Sequence, residues 1–252
     1  MAETLKVELS PRGVATIFLN RPERSNAFDQ LMLDDLAREF FIRGSDDGTR
    51  IIVLRGLGKH FCAGADLSTR GGGGERNESA AHASLADVLS ALDRLPKPTI
   101  AAVHGAAVGG GAAVVACCDI AIATEAAFFS VPEVRAGMAP LGVAPFLNRA
   151  LGERSFVRYG LTGERFSAAD ALRLGLVHEV VDAEKLDERL AAIADALLHG
   201  APGAQRDFKN EMRNAATPLV IKRSNADIHN SPEAQEGIAS FREKRKPNWY
   251  PQ

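Results

Sequence analysis

The sequence predicts an α/β fold, with a mixed core over residues 1–182 and a helical region over 183–252. Two observations predict it. Short β-branched apolar segments alternate with segments of helical periodicity as far as residue 182. Beyond that point no strand pattern is convincing, and helix-length segments follow one another between glycine, proline and asparagine breaks. The chain of 252 residues is 46% hydrophobic, which is enough apolar material for a sizeable core.

The N-terminal half predicts alternating strands and helices. A Pro11–Gly13 turn between two apolar stretches predicts a hairpin, and Met32, Leu36 and Phe40 share one face of the first predicted helix. The predicted elements of this half are strands over 5–10 and 14–20, a helix over 31–41, a strand over 51–55, a helix over 85–95, and strands over 99–103, 120–124 and 127–130. A polar, glycine-rich stretch over 68–80 is predicted to be mobile.

The C-terminal half predicts mostly helices. Ser167 and Asp170 have the spacing of a capping box that opens a helix to Leu174, and Gly175 is placed to end it. The remaining predicted elements are a strand over 176–181 and helices over 184–199, 203–214 and 232–245.

Charge and composition argue against nucleic acid and membrane partners. The 30 Lys and Arg residues against 32 Asp and Glu give a formal charge of −2, so no overall field attracts polyanions. One Trp and two Tyr offer few rings on which bases could stack. No stretch approaches about twenty uninterrupted apolar residues, and the N-terminus lacks a charged and then apolar signal segment.

Three cysteines, Cys62, Cys117 and Cys118, are an odd number, and none has metal-site spacing beside a histidine. No metal site is therefore expected. A reducing compartment fits this cysteine usage, and we expect a cytoplasmic protein.

The stretch HGAAVGGGAAVVACCDI over 104–120 sets three glycines, Gly109 to Gly111, between a predicted strand and a predicted apolar helix. A helix that begins there directs unpaired N–H groups at whatever occupies the turn, which is an arrangement suited to an anion. A P-loop needs a Lys-Ser/Thr pair after its last glycine, and here Ala112 and Ala113 follow. A developing oxyanion would need a second backbone donor elsewhere. Close packing alone would also favour glycines at this turn.

Four blocks in order resemble the signatures of the enoyl-CoA hydratase/isomerase family, also called the crotonase superfamily. They are LNRPERSNAF over 19–28, FCAGADL over 61–67, the strand and glycine block over 98–120, and SVPEVRAGMAP over 130–140. The tail FREKRKPNW over 241–249 is similar as well. The resemblance implies a spiral of repeated strand-strand-helix units with a helical C-terminal trimerisation region, in a homotrimer or a dimer of trimers.

The resemblance also implies roles for individual residues. The N–H groups of Ala65 and Gly110 would form an oxyanion hole for a thioester enolate, and Glu133 would be the acid/base. No permanently bound cofactor is implied, because coenzyme A arrives as part of the acyl-CoA substrate. The implied substrate and coenzyme contacts are Arg24, Ser25, Asn26, Ala27, Ala63, Asp66, Leu67, Gly109, Phe241 and Lys244, the last two often reaching the site of a neighbouring subunit.

One position departs from the family pattern. Family hydratases with two carboxylates carry their first glutamate where this chain has Ala113, so only Glu133 remains. Hydration of a 2-enoyl-CoA is the first choice, because subgroups that resemble this chain share a non-acidic residue there. Shifting a double bond between positions 3 and 2 suits a single carboxylate equally well. A non-catalytic acyl-CoA-binding protein is the alternative of another class, and decarboxylation or hydrolysis also stays open.

Other polar residues near the motifs have plainer interpretations. Asp66 is expected to shape its loop by accepting backbone N–H bonds. His60 and His104 are expected at turns. His82 lies in the segment where other members of the resembled family place reaction-specific groups, and no role is assigned to it. For Arg135, a surface ion pair is preferred to contact with a substrate carboxylate.

Overall fold

The computed structural model describes residues 3–66, 82–214 and 231–251. Their strands are β1 (Leu5–Leu9), β2 (Val14–Leu19), β3 (Ile51–Gly56), β4 (Thr99–Val103), β5 (Ala106–Val108), β6 (Ile120–Thr124), β7 (Phe128–Ser130), β8 (Arg165–Ser167) and β9 (Glu179–Val181). Their α-helices are α1 (Gln30–Ser45), α2 (Leu85–Asp93), α3 (Gly110–Cys117), α4 (Ala144–Leu151), α5 (Glu153–Thr162), α6 (Ala168–Leu174), α7 (Leu186–Leu198), α8 (Pro202–Asn214) and α9 (Pro232–Glu243). Short 3₁₀ helices cover Pro22–Arg24, Glu133–Ala136 and Ala183–Lys185.

The strands form two sheets. The larger has the order β1-β2-β3-β4-β6-β9, and the smaller has the order β5-β7-β8. In the larger sheet β1 and β2 form the predicted antiparallel hairpin, and every pairing from β2 onward is parallel. In the smaller sheet β5 pairs parallel to β7 and β8 pairs antiparallel to it.

The large sheet is covered on both faces, as parallel strands require. Along β3, Ile52 and Leu54 belong to the main core, while Ile51 and Val53 belong to a second cluster. The second cluster includes Leu186, Ile193 and Leu198 of α7, so this helix covers the far face. Residues pointing to both faces are apolar, which explains why the strand is an unbroken hydrophobic run rather than an alternating one.

Helix α1 confirms the predicted apolar face and runs further than predicted. Met32, Leu36 and Phe40 are buried, and Asp29 caps the N-terminus by accepting a hydrogen bond from the Met32 N–H at 2.9 Å. The helix continues to Ser45. Arg43 of this last turn pairs with Glu39 and Asp46, so polar pairs rather than an apolar face sustain it.

The prediction that β4 leads straight into the glycine turn is wrong. Gly105, with φ +60°, turns the chain out of the large sheet, and β5 begins the small sheet before the triplet. Only Ala106, Ala107 and Val108 form this strand, too few residues for a sequence period to emerge.

Helices α4 and α5 and strand β8 were not predicted. Leu147 and Leu151 are the buried side chains of α4, and α5 buries Tyr159 and Gly160. Each helix is short, at 8 and 10 residues, so its apolar face repeats over only two or three turns. Gly152, with φ +74°, separates them.

The C-terminal predictions fare better. Ser167 and Asp170 form the predicted capping box, and Gly175 ends α6 with φ +87°. The strand predicted over 176–181 is present only as β9, Glu179–Val181. Leu176 and Val177 precede it and are buried in the main core. After residue 182 the described chain contains helices and no strand, as predicted. The glycine-rich stretch over 68–80 lies outside the described residues.

None of the helices within the described parts of the chain is both long and apolar enough to cross a membrane.

Candidate active site

A cavity of about 370 Å³ opens where four segments of the chain meet. The walls come from 63–65, from 84–86 at the start of α2, from 108–110 at the start of α3, and from the stretch between 132 and 143. Most lining side chains are apolar and small, while Glu133 is the ionisable group among the described lining residues. An apolar cavity with one carboxylate suits proton chemistry on an apolar group.

The first wall is a loop whose backbone is fixed by Phe28. The Phe28 N–H donates to the Gly64 carbonyl at 2.7 Å, and the Asp66 N–H donates to the Phe28 carbonyl at 2.9 Å. This bridge uses the groups on either side of the Ala65 N–H. Within the described residues, the Ala65 N–H has no hydrogen-bond partner. It is therefore a backbone donor available on the cavity wall.

The glycines at the start of α3 place a second donor beside the first. Gly110 is the first residue of the helix, where backbone N–H groups lack an intrahelical acceptor, and its N–H has no partner among the described residues. A β-carbon built on Gly64 would lie 2.7 Å from the Val108 carbonyl oxygen and 3.6 Å from the Gly110 nitrogen. The two loops are in contact, so both unpartnered amides belong to one cavity.

Gly109 is required by conformation and by space. Its φ of +53° and ψ of −117° disfavour any residue with a β-carbon. A β-carbon there would lie 2.7 Å from Oε1 of Glu133. Glycine at this position therefore lets the carboxylate come next to the start of α3.

Glu133 begins the 3₁₀ helix that follows Pro132. Its Oε2 atom is buried and has no hydrogen-bond partner within the described residues. Burial raises the pKa of the Glu133 carboxyl above its ordinary value, and a hydrogen bond from its own backbone N–H opposes the shift only in part. A buried acceptor with a spare lone pair and a raised pKa is suited to hold a water molecule or to exchange a proton.

The loop over 21–28 supports the Ala65 wall from behind. Asn26 is fully buried and has φ +56°; its side-chain amide donates to the carbonyls of Leu57 and His60. The Arg21 guanidinium contacts Asp66 at 3.1 Å, Asp29 at 3.2 Å and the Ala27 carbonyl at 2.5 Å. The Asp66 side chain thus pairs with Arg21, and its role as an acceptor of backbone N–H bonds stays a prediction. Sequence reasoning did not find Arg21, because its partner Asp66 lies 45 residues away.

The predicted coenzyme contacts fall into two groups. Ser25 and Ala63 are joined by a hydrogen bond from the Ala63 N–H to the Ser25 carbonyl at 2.9 Å, so the 24–27 loop adjoins the cavity wall, with Arg24 exposed. Phe241 and Lys244 are exposed at the end of α9 and are absent from the described cavity lining. Leu67 lies outside the described residues.

Position 113 and the nearby histidines serve the fold. Ala113 is fully buried, and its N–H donates to the Gly109 carbonyl at 3.1 Å. His60 Nδ1 accepts from the Ala106 N–H at 3.1 Å, and His104 Nε2 lies 2.9 Å from the Gly58 carbonyl oxygen. The surface ion pair predicted for Arg135 is wrong, because its guanidinium donates to the Thr162 carbonyl at 3.1 Å.

The residues that the structure describes contain no group of three or more His, Cys, Asp or Glu side chains able to hold a metal ion. Among the described lining residues, the polar groups are the Glu133 carboxylate, the Ser84 hydroxyl and backbone amides.

Comparison with known proteins places this geometry in context. Residues 10–252 match the family model described as enoyl-CoA hydratase/isomerase. A mevalonyl-coenzyme A hydratase, sidH, from Aspergillus fumigatus is 33% identical, with 94% of this chain aligned to 92% of that protein. A solved enoyl-CoA hydratase from Mycobacterium smegmatis superposes with a TM-score of 0.86 at 33% identity, covering 98% of both chains. Another from Shewanella pealeana gives a TM-score of 0.85 at 35% identity, covering 98% of this chain and 96% of that one.

Proposed function

The chain belongs to the enoyl-CoA hydratase/isomerase family, and we propose that it adds water to a 2-enoyl-CoA. The predicted family membership and crotonase-type fold are thereby confirmed. The observation that carries the proposal is a buried, unpartnered carboxylate oxygen of Glu133 in a cavity that also holds the free N–H groups of Ala65 and Gly110.

In the proposed reaction, backbone N–H groups bind the thioester oxygen and the Glu133 side chain transfers the proton. The thioester oxygen accepts hydrogen bonds from the Ala65 and Gly110 N–H groups. Ionised Glu133 removes a proton from water as the water oxygen bonds to C3, and the electron pair of the C2–C3 double bond moves into the thioester to give an enolate. Protonated Glu133 then returns its proton to C2, which completes the addition. Rigid backbone donors favour this path because they stabilise the oxygen most when it carries negative charge.

Isomerisation is the second candidate, and Ala113 is the observation that favours it. Because position 113 is an alanine, Glu133 has no carboxylate partner where two-carboxylate family members carry one. Ala113 is also buried and absent from the described cavity lining. A single carboxylate can remove a proton from C2 of a 3-enoyl-CoA and return it to C4, leaving a 2,3 double bond. The same amides would stabilise the dienolate.

The coenzyme would bind along the loop over 24–27 and the wall beginning at Ala63. Arg24 is exposed beside this wall and offers positive charge to the phosphates of coenzyme A. Since Phe241 and Lys244 stand away from this cavity, we propose that they act at the site of a neighbouring subunit in a homotrimer or a dimer of trimers.

The experiment incubates the purified protein with crotonyl-CoA and, separately, 3-hexenoyl-CoA in deuterated water. Thioester absorbance and product masses are followed together. Loss of enoyl absorbance with a mass gain of one D₂O would support hydration. Formation of 2-hexenoyl-CoA without water addition would establish the isomerase instead. Binding of both esters with no reaction would leave an acyl-CoA-binding protein and reject both reactions for these substrates.

A further inference from the structure

The cavity wall at the start of α2 is held in place by side chains from α1. The Ala83 N–H donates to Oδ1 of Asp34 at 2.8 Å, and the Ala83 carbonyl accepts from Nε2 of Gln30 at 2.9 Å. Both backbone polar groups of Ala83 are therefore bound by one helix. Gln30 also donates to Asp34 at 3.1 Å, which links the two α1 side chains. We call Gln30 and Asp34, with the bound Ala83, the α1 clamp.

The residues that follow the clamp line the cavity. Ser84 caps α2, and its hydroxyl accepts from the Asp87 N–H at 3.2 Å. Ser84, Leu85 and Ala86 form one wall of the cavity. Because the clamp fixes the residue just before Ser84, it sets where this wall begins.

Leu85 connects the clamp to the proposed oxyanion donor. A β-carbon built on Gly110 would lie 2.8 Å from Cδ2 of Leu85, so the leucine side chain occupies the space that the glycine leaves open. Displacing the start of α2 would pull Leu85 away from Gly110. Protein interiors transmit such shifts because their side chains are closely packed.

Asp34 is held in the ionised form that accepts these bonds. Burial works against ionisation, but hydrogen bonds from His82, the Ala83 N–H and Gln30 outweigh it, so the pKa of Asp34 is lowered. His82 Nδ1 lies 2.8 Å from Oδ2, on the side of the carboxylate opposite the Ala83 bond.

We propose that Asp34 is a positioning residue that selects acyl chain length: through Ala83 it fixes the Ser84–Ala86 wall and seats Leu85 on Gly110. This inference rests on the proposed function, since it treats the cavity as the acyl pocket. A fixed wall limits the length of the bound acyl group, while a released wall makes room for a longer one. Asp34 touches no reacting atom in this account.

The test compares Asp34→Ala, Asp34→Asn and wild type. Asn keeps an oxygen acceptor for the Ala83 N–H and removes the charge, whereas Ala removes the acceptor. Asp35→Ala is the matched control, because the neighbouring Asp35 bonds to Thr4 and Arg38, away from the cavity. Calorimetry measures the dissociation constants of the saturated esters butyryl-CoA and octanoyl-CoA, and turnover is measured with a reactive enoyl-CoA.

Asp34→Ala is expected to shift the octanoyl-to-butyryl preference about tenfold toward the longer chain and to lower kcat by a similar factor, because misplaced active-site walls cost rate steeply. Asp34→Asn and Asp35→Ala are expected to keep the wild-type preference. A wild-type preference in Asp34→Ala, or the same shift in Asp35→Ala, would overturn the inference. Should Asp34→Ala not fold, Gln30→Ala at an exposed position is expected to shift the preference the same way, and an unchanged ratio there would overturn it.

Failure of the proposed function gives a different result. If wild type binds neither ester, the cavity is not an acyl pocket, and both the proposed function and the proposed role of Asp34 are wrong. If wild type binds both esters and Asp34→Ala binds them identically, only the inference falls.

Discussion

At the scale of single residues, the distinguishing feature of the candidate active site is the carboxylate of Glu133, which is buried and incompletely hydrogen-bonded within the described residues. Oε2 of Glu133 is buried without a partner among the described residues, and Oε1 lies over the bare α-carbon of Gly109. A buried polar atom left unpaired costs stability, so its retention is expected where a substrate or water completes the bonding. Glu133 and Gly109 thus act as one unit.

The first prediction concerns pH. Burial raises the pKa of Glu133, so the carboxyl stays protonated to a higher pH than an ordinary glutamate. Because the proposed reaction starts from the carboxylate, kcat/KM should fall as the pH drops through this raised pKa. A pH profile of kcat/KM should therefore show an acidic limb above the usual glutamate range of about 4.3. A flat profile through that region, in protein that circular dichroism shows to be folded, would exclude Glu133 as the base.

The second prediction concerns Gly109. Gly109→Ala should lower turnover about 100-fold, because the new methyl group would push the Glu133 carboxylate out of place. The positive φ should cost a further ~1–3 kcal/mol of unfolding free energy. Turnover and urea unfolding measure the two effects.

Gly142→Ala is the matched control for Gly109→Ala. Gly142 also lines the cavity, but a β-carbon there would meet nothing within 4 Å. Equal losses of turnover in the two variants would show that the space beside Glu133 is not what Gly109 provides.

Some residues of the candidate active site can be predicted from a local sequence motif, and others cannot. The glycine triplet, Ala65 and Glu133 lie in compact motifs, so their local pattern predicts where they sit. Asp34 meets Ala83 across 49 residues, and nothing near either residue indicates the other. Contacts of this kind depend on how α1 packs beside α2, which no local pattern specifies.

At the scale of elements, α8 is fastened to the core by a buried charge network. Lys209 is 8% exposed and donates to Asp119 at 2.7 Å and to the Lys97 carbonyl at 3.0 Å. Arg213, one turn later, bridges Asp119 at 3.0 Å and Asp93 at 3.1 Å. The helix ends of α2 and α3 are thereby linked to a helix far along the chain.

The third prediction tests this network. Lys209→Ala should lower the free energy of unfolding by about 3 kcal/mol, because it removes a buried cation and leaves the partly buried Asp119 with less compensating charge. Lys185→Ala removes an exposed pair with Asp182 and should cost less than about 1 kcal/mol. Urea unfolding of both variants gives the comparison. Equal costs would show that the network adds nothing beyond a surface ion pair.

Elements were predictable where they carry several buried positions or a distinct cap. The capping box of Ser167 and Asp170 and the apolar face of α1 are examples. Strand β5 and helices α4 and α5 were not predicted because each is short, so its apolar pattern repeats over few residues, and their positions depend on the small sheet and on α3. Tertiary packing, rather than local propensity, fixes these elements.

At the scale of the whole molecule, the C-terminal helices expose large apolar side chains. Phe208 is 70% exposed and Phe241 is 86% exposed, with Met212 and Ile238 about half exposed beside them in sequence. Apolar groups of this size are costly to leave in water. We therefore expect the subunits of the predicted trimer to associate through these side chains.

The fourth prediction therefore concerns assembly. The wild type should sediment as a trimer or a dimer of trimers, and Phe208→Asp should lower the mass, because a charge would be buried at the contact. Phe41→Asp is the control, since Phe41 is 76% exposed on α1, outside the C-terminal region. Analytical ultracentrifugation measures the masses. A monomeric wild type would contradict the expectation outright.

In the proposed reaction, Glu133 moves the proton in a site where two backbone amides hold the thioester. The most direct measurement compares Glu133→Gln with Glu164→Gln, whose carboxylate pairs with Arg158 at the surface. Turnover of the enoyl-CoA that the wild type accepts is measured together with calorimetric binding of butyryl-CoA. Glu133→Gln is expected to lose at least about 100-fold in turnover while binding butyryl-CoA within about threefold of wild type, and Glu164→Gln is expected to keep both. Wild-type turnover by Glu133→Gln would exclude Glu133 as the group that moves the proton.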